Sequence, residues 1–404
     1  MKTTRRFNVF LSFFLISSLA GQSLSVIREY PAANGLIDVV VRCDSATLLP
    51  ALYIYHNRLV PAEVPNISQV IERDQAPHIS ADNQLLGLFS PAKRPSNRTE
   101  PRPFEFLGFS NSIQPDFVIR DSWLDTGRPP TFFINTIQQA VLQVASNGDQ
   151  IKFYNRRGHL LRTKQFAQNL PHNYEDPLIR CNAAGNRLAF FTRKPDIETG
   201  VMQPMLYLLS PIGEEIWKAR ILLKTVEALA ISKSGSSVAV AGQTLRPIGA
   251  QAQYTIFVFD STGRIQSSLP YRATQMTFNS AEDRLLIRAE QTVQLINLHN
   301  EGVIFFHQLR RTRREIADFC YLDNSVFAVS LGTINFKDGQ PVYDNPAIRL
   351  YSDDGKILSE NHFPETYSHR AKIIGHRCGN QIGFSLQNRF VVLQVTQKSQ
   401  EYHQ

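Results

Sequence analysis

The sequence has none of the short motifs that mark a common active site. It contains no nucleophile elbow, no pair of zinc ligands, no phosphate-binding loop and no calcium-binding loop. Its only four cysteines, at positions 43, 181, 320 and 378, do not have the spacing of a metal site. We therefore expect no cofactor and no metal, and the sequence does not decide whether the protein is an enzyme.

Charged residues are also scarce, and patterns typical of helices are nearly absent. Asp, Glu, Lys and Arg make up 19% of the chain, against 43% hydrophobic residues that include 26 Phe and 13 Tyr. A chain of this composition can bury a core, which excludes an intrinsically disordered protein. The short apolar runs predict a strand-rich, all-β fold.

No apolar run reaches the roughly 20 residues that a membrane-spanning helix needs. The run at residues 9–16 follows three basic residues and precedes the small-x-small sequence Ser18-Leu19-Ala20. This pattern predicts a signal peptide of bacterial type over residues 1–20, and an exported, periplasmic or extracellular chain without a transmembrane helix. Cleavage would remove three basic and no acidic residues, so the net charge would fall from +8 to +5.

A glycine-centred pattern recurs five times along the chain. Each copy reads as two short strands joined by a tight turn that ends in glycine, as in IFVFDSTGRIQS around Gly263. The other four copies are centred on Gly158, Gly213, Gly302 and Gly355. The intervals between these glycines are typical of β-propeller blades, so the pattern predicts a repeat protein.

A second strand pair precedes each glycine turn and completes a four-stranded unit. Seven such units can be counted, at residues 75–123, 131–170, 177–222, 225–269, 272–311, 315–363 and 370–396. The last unit lacks its fourth strand, which residues 25–30 or 36–42 would supply. We therefore predict seven blades over residues 75–398, closed by a strand from an irregular N-terminal β segment at 21–74, with a tail at 399–404. Six blades and a small N-terminal β segment are the alternative.

The units resemble the WD-repeat and quinoprotein-type β-propeller superfamilies. The copy LYLLSPIGEEIWK is similar to a quinoprotein repeat that ends in tryptophan. The resemblance covers most of the chain from residue 75 and implies a β-propeller. A quinone-binding propeller stacks its cofactor on tryptophan, but Trp123 and Trp217 are both predicted on outer strands, which agrees with the absence of a cofactor.

Ring closure would also bring two of the cysteines together. Cys43 lies near the start of the mature chain and Cys378 in the last unit, and disulfides persist in exported proteins. A Cys43–Cys378 disulfide is one prediction, and four buried free thiols are the alternative.

Loop lengths predict where binding takes place. The connections between the first and second strands and between the third and fourth strands are short, while the others are long and varied. All long connections meet at one end of an antiparallel blade, here called the loop-rich face, and loops on a rigid scaffold concentrate binding residues. The candidate binding residues in these connections are Arg310, Arg311, Arg313, Arg314, His172, Tyr174, Tyr343, Tyr367 and His369.

Two functions remain open at this stage. The first is a monomeric, non-catalytic propeller that binds a protein or an acidic glycan through its loop-rich face. Export and the absence of an interleaved aromatic and basic pattern argue against nucleic acid as the partner. The second is a propeller-type hydrolase, lyase or lactonase with its site at the mouth of the central channel. The candidate residues for the second are Asp176, Glu227, Arg272, Glu315, His369 and Arg370.

Overall fold

The computed structural model describes residues 22–397 with short gaps. The gaps are residues 45–46, 56–57, 63–70, 73–76, 81, 94–99, 125–128, 139, 146–148, 167–177, 196–201, 245–252, 309–313, 323–325, 338, 365, 369–371 and 379. The side chains of 22, 71–72, 124, 194–195, 202, 340, 375–378 and 397 are also outside the description. The predicted signal peptide and C-terminal tail thus lie outside the described residues. Within them the chain forms strands and turns, and no helix is long and apolar enough to cross a membrane.

The strands form a β-propeller of eight antiparallel sheets, and in blades 1 to 7 four strands follow one another in sequential order from the channel outwards. The first four blades contain these strands: in blade 1, β2 Asp38–Asp44, β3 Thr47–Ile54, β4 Arg58–Pro61 and β5 Ile71–Glu72; in blade 2, β6 His78–Ile79, β7 Leu86–Pro91, β8 Pro101–Phe109 and β9 Phe117–Leu124; in blade 3, β10 Thr131–Asn135, β11 Ala140–Val144, β12 Gln150–Asn155 and β13 Leu160–Gln165; and in blade 4, β14 Leu178–Cys181, β15 Leu188–Pro195, β16 Met202–Leu209 and β17 Glu215–Arg220.

The other four blades have the same antiparallel arrangement, with the fourth strand of blade 8 supplied by the N-terminus. They contain these strands: in blade 5, β18 Leu223–Ile231, β19 Val238–Thr244, β20 Tyr254–Phe259 and β21 Ile265–Leu269; in blade 6, β22 Gln275–Phe278, β23 Arg284–Ala289, β24 Thr292–Asn297 and β25 Val303–Gln308; in blade 7, β26 Arg314–Tyr321, β27 Val326–Lys337, β28 Gln340–Ser352 and β29 Ile357–His362, with the short β30 Tyr367–Ser368 beside β28; and in blade 8, β31 Ile373–Cys378, β32 Gln381–Ser385 and β33 Arg389–Gln397, with β1 Gln22–Pro31 as the outer strand.

The N-terminal strand β1 closes the ring, as the sequence predicts. It pairs antiparallel with β33 along its whole length, from Gln22 opposite Gln397 to Pro31 opposite Arg389. Leu24 of β1 is buried in the cluster between blades 7 and 8. Of the two candidate closing strands, the first, at residues 25–30, is therefore the correct one, while residues 36–42 enter the next blade.

The prediction of seven blades is wrong, and so is the six-blade alternative, because residues 38–72 form a further blade, blade 1. This segment contains prolines, which usually interrupt strands. Here Pro50 lies in β3 opposite Val41, at a shift in register, and Pro61 ends β4. Proline is tolerated at such irregular or terminal positions because it does not interrupt a regular hydrogen-bonded ladder there. Blade 1 also lacks the glycine turn that recurs in blades 3 to 7.

The hydrophobic core is divided into eight clusters, one between each pair of neighbouring blades. Between blades 2 and 3, for example, the rings of Phe106 and Phe132 stack with centroids 4.2 Å apart. Between blades 4 and 5, Trp217 lies against Phe259 with centroids 5.9 Å apart. Each blade therefore depends on both neighbours to bury its two faces, which explains why the ring must close.

Polar side chains join neighbouring blades at the short turns between their first two strands. Asn135 of blade 3 donates a hydrogen bond from its side chain to the carbonyl of Gly185 in blade 4, at 2.8 Å. Asn182 of blade 4 does the same to the carbonyl of Lys233 in blade 5, at 3.1 Å. Each of these turns must therefore reach the next blade, which gives a structural reason why the turns are short and uniform in length.

The predicted disulfide between Cys43 and Cys378 can be tested by alkylation. Cys43 is disulfide-bonded, while Cys181 and Cys320 are free thiols. Strand β2, which carries Cys43, contacts β31, which carries Cys378. Pairing with Cys378 remains a prediction, because that side chain lies outside the described ones. After unfolding without reductant, we expect iodoacetamide to label Cys181 and Cys320 only; mass spectrometry that finds Cys43 and Cys378 labelled under these conditions would exclude the pair.

Candidate functional site

A long β-hairpin extends from blade 7 at the loop-rich face. Beyond the register shift at Leu331, β27 and β28 stay paired from Thr333 opposite Asp344 to Lys337 opposite Gln340. We call residues 333–344 the arm. The inner strand β26 ends its pairing with β27 at Thr333, so most of the arm projects beyond the blade. Near its tip, Phe336 is 73% exposed, the highest value among the exposed large hydrophobic residues in the described chain.

The arm is held against the body of the propeller by β30. Tyr343 pairs with Ser368, and Asp344 pairs with Tyr367. The Lys337 ammonium donates a hydrogen bond to the Tyr367 hydroxyl at 2.8 Å and lies 4.7 Å from the centre of its ring. The side chain of Gln387 in blade 8 also hydrogen-bonds this hydroxyl. These contacts fix the position from which Phe336 is presented.

Three of the nine candidate binding residues lie in the described chain, and all three belong to blade 7. Tyr343 is in the arm, Tyr367 supports it, and Arg314 begins β26 next to its base. Burial raises the pKa of the Tyr343 hydroxyl, so it stays neutral at physiological pH. Arg314 lies 3.9 Å from Glu360, which itself binds Arg349 at 3.0 Å. The candidates outside the described residues are Arg310, Arg311, Arg313, His172, Tyr174 and His369.

Residues 332–346 form one of the long connections that the sequence predicts between the second and third strands of a unit, and they also contain a hairpin signal. Asp338-Gly339 is flanked by alternating apolar residues, namely Ile334 and Phe336 on one side and Val342 on the other. An Asp-Gly pair in this setting is a strong indication of a two-residue hairpin turn. Gly339 has a φ of +75°, which fits such a turn. The arm could therefore have been found from the sequence.

The central channel contains a cavity of about 320 Å³ lined by inner-strand residues of several blades. Its charged groups include Lys372, whose ammonium lies 2.5 Å from the Asn83 side-chain oxygen and 4.0 Å from Asp38. Asp318 accepts hydrogen bonds from the Gln275 side chain at 2.8 Å and from the backbone N–H of Ile373 at 2.9 Å. Burial raises the pKa of Asp318. These groups connect blades 1, 2 and 8 and blades 6, 7 and 8, which gives them a structural role.

Of the residues suggested for a propeller-type enzyme, Glu227, Arg272 and Glu315 lie in the described chain, and none of these three lines the cavity. Arg272 lies 3.1 Å from Glu227 in blade 5 and 2.6 Å from Glu290 in blade 6, with its guanidinium 4.7 Å from the Tyr254 ring centre. Arg272 thus bridges two blades. Glu315 lies opposite Gly332 at the base of the arm. The remaining suggested residues, outside the described chain, are Asp176, His369 and Arg370.

Comparison with solved structures supports the same architecture over nearly the whole chain. Sqt1 from Chaetomium thermophilum superposes with a TM-score of 0.53 at 9% identity, covering 93% of this chain and 100% of that one. The C-terminal WD40 domain of Sif2 gives 0.51 at 9%, covering 92% and 98%, and BamB from Moraxella catarrhalis gives 0.51 at 10%, covering 92% and 99%. The chain is a β-propeller that resembles WD40 proteins and BamB. No family model and no curated protein sequence matches it, and at these identities the structural likeness establishes the fold alone.

Proposed function

We propose that this propeller is an exported binding module that recognises a protein partner through the arm on its loop-rich face. The observation that carries the proposal is Phe336, which is 73% exposed near the tip of a hairpin whose position is fixed by β30 and Gln387. Exposing a large aromatic side chain to water is unfavourable unless a partner covers it. Aromatic residues and arginine are also enriched in protein interfaces.

The surroundings of Phe336 fit an interface in which an apolar centre has a polar rim. Side chains alternate between the two faces of a strand, so Tyr343, opposite Ile334, lies on the face of the arm that carries Phe336, while Lys337 and Tyr367 lie on the other face and Arg314 lies at the base. Arg314 is only weakly engaged, because a 3.9 Å pair with Glu360 at a partly exposed position contributes little. Its charge therefore favours a partner surface with acidic groups.

Two observations support export. One is the leader sequence at residues 1–20. The other is the disulfide at Cys43, since disulfides persist in oxidising compartments and are rare where thiols are kept reduced.

Site-specific photo-crosslinking in the native cell tests the proposal. We expect a benzoyl-phenylalanine at position 336 to form a discrete adduct with one protein, because this side chain would lie inside the interface. The matched control is the same group at Ile265, which is 53% exposed on an outer strand away from the arm. Equal labelling at both positions, or an adduct of twice the monomer mass, would contradict recognition of a different protein through the arm.

Variants of the predicted arginine cluster give a second readout in the same experiment. Replacing Arg310, Arg311, Arg313 and Arg314 by Ala should reduce the yield of the adduct at position 336. As a control, replacing Asp260, Ser261 and Thr262 by Ala should not, because these residues lie in the short turn between β20 and β21, on the face opposite the arm. An adduct whose yield is unchanged by the arginine replacements would confine recognition to the arm and remove the cluster from the proposed interface.

A further inference from the structure

Blade 2 departs from blades 3, 4, 5 and 7 at the connection between its third and fourth strands. Blades 3, 4, 5 and 7 make this connection with a tight turn in which glycine has a positive φ. Blade 2 instead uses residues 110–116, without glycine, between β8 and β9. The loop has internal structure, since the Ser112 hydroxyl accepts a hydrogen bond from the Gln114 N–H at 3.2 Å. Departures from a repeat are expected at functional sites.

A cleft of about 240 Å³ lies beside this loop, on the face opposite the arm. Its walls come from blades 1, 2 and 3, and we call it the Arg156 cleft. Part of its surface is apolar and belongs to the core: Leu85, Phe117, Ile134 and Val141 are each no more than 5% exposed. The cleft shares wall residues with the channel cavity, including Val41 and Asn135.

The polar groups of the cleft carry positive charge and hydrogen-bond donors. Arg42 reaches it from blade 1, and Arg156 reaches it from the turn between β12 and β13 in blade 3. Ser110 and Asn111 add a hydroxyl and an amide from the blade 2 loop. Among its lining residues, all of which lie in the described part of the chain, none is acidic.

Arg156 lacks the acidic partner that several other partly buried arginines have. Arg284 contacts Asp353 at 2.5 Å, and Arg349 contacts Glu360 at 3.0 Å. Within the described residues, by contrast, no hydrogen bond or ion pair engages the guanidinium of Arg156, although its side chain is partly buried. A partly desolvated cation without a counter-charge is unfavourable, and binding of an anion would relieve this cost.

We propose that the Arg156 cleft binds a carboxylate attached to an apolar group. The planar guanidinium of Arg156 matches a carboxylate, which it can hold through two parallel hydrogen bonds. The aliphatic or aromatic remainder of the ligand packs on Leu85, Phe117 and Ile134. Two sources share this chemistry, a small organic acid and the free C-terminus of a peptide with an apolar last residue.

Isothermal titration of the full chain with defined probes tests the proposal. The probes are acetyl-phenylalanine, its C-terminal amide, a pentapeptide ending in phenylalanine with a free carboxylate, and inorganic phosphate. We expect acetyl-phenylalanine or the pentapeptide to bind, and the amide to bind about tenfold more weakly or not at all, because it cannot form the charge-assisted pair. A peptide that binds much tighter than acetyl-phenylalanine identifies a chain end, and equal affinities identify a small acid.

Two arginine variants in the same turn separate binding from folding. Arg156→Gln should weaken carboxylate binding about tenfold or more, while Arg157→Gln, next to it but exposed and outside the cleft, should leave it unchanged. Both variants should melt at the temperature of the parent protein. Equal affinity of the parent and Arg156→Gln would overturn the proposal. So would binding of phosphate without either carboxylate probe, or no heat from any probe at millimolar concentration.

Discussion

Deleting residues 22–31 should prevent the protein from folding to a stable monomer. The deletion removes β1, which pairs with β33 over its whole length, and takes Leu24 out of the cluster between blades 7 and 8. The lost backbone ladder and apolar burial together amount to more than about 5 kcal/mol, which is comparable to the total stability of many domains. The freed edge of β33 carries the apolar sequence FVVLQV and would promote aggregation. Size-exclusion chromatography and thermal unfolding measure both effects.

A circular permutant provides the matched control for this deletion. Gln22 lies opposite Gln397, so a short glycine-serine linker can join these two residues while the chain is opened between Pro31 and Ala32. The permutant keeps every strand and should remain monomeric with a cooperative transition. A deletion variant that is also monomeric, and that melts like the parent protein, would show that the ring does not need β1.

Replacing the repeat glycines with alanine should have very different effects at Gly158 and Gly302. Gly158 has a φ of +81°, and a Cβ built there would lie 2.1 Å from the backbone oxygen of Val118 in blade 2. Alanine must therefore adopt a strained conformation and push the turn away from the preceding blade. We expect Gly158→Ala to lower the free energy of unfolding by at least about 2 kcal/mol.

Gly302 serves as the control because it occupies the same place in the sequence pattern without the same constraint. Its turn is one residue longer: the N–H of Asn297 bonds the carbonyl of Gly302, and Glu301 takes the positive φ, at 55°. The nearest atom to an added Cβ is the Asn300 side-chain oxygen at 3.0 Å. Gly302→Ala should change stability by less than about 0.5 kcal/mol. Urea denaturation of both variants decides the matter, and similar losses would show that the two turns are equivalent.

The difference between these glycines shows the limit of the repeat pattern. Aligned by sequence, Gly158 and Gly302 occupy equivalent positions. The structure shows that the left-handed position belongs to Gly158 in one turn and to Glu301 in the other. A one-residue change in turn length moves this position along the chain, and hydrophobic periodicity does not record it.

The candidate site was predictable only in part. Loop lengths pointed to the loop-rich face, and Tyr343, Tyr367 and Arg314 do lie together in blade 7. The Asp-Gly turn of the arm was visible in the sequence, but the exposure of Phe336 was not, because it depends on where the rest of the blade ends. The role of the loop-rich face remains the proposal tested by crosslinking.

The Arg156 cleft had no signal strong enough to be recognised in the sequence. Arg42, Asn111 and Arg156 are separated by 69 and 45 residues along the chain and meet only because blades 1, 2 and 3 are neighbours. The absence of glycine between the third and fourth strands of blade 2 is visible in the sequence, but by itself it does not indicate a cleft. The link between that irregularity and a cleft requires the packing of three blades.

The sequence by itself determined the four-stranded unit, its repetition along the chain and the closure of the ring by an N-terminal strand, because these follow from local alternation of apolar residues and from turn chemistry. Which of two N-terminal strands closes the ring was decided by the pairing of β1 with β33. Only the tertiary structure decided that there are eight blades, since blade 1 contains prolines and lacks the glycine turn, and its membership in the ring depends on packing against blades 8 and 2. The same holds for the arm's exposed tip and the Arg156 cleft. Local patterns specify strands and turns, whereas burial, exposure and charge pairing depend on which distant segments become neighbours.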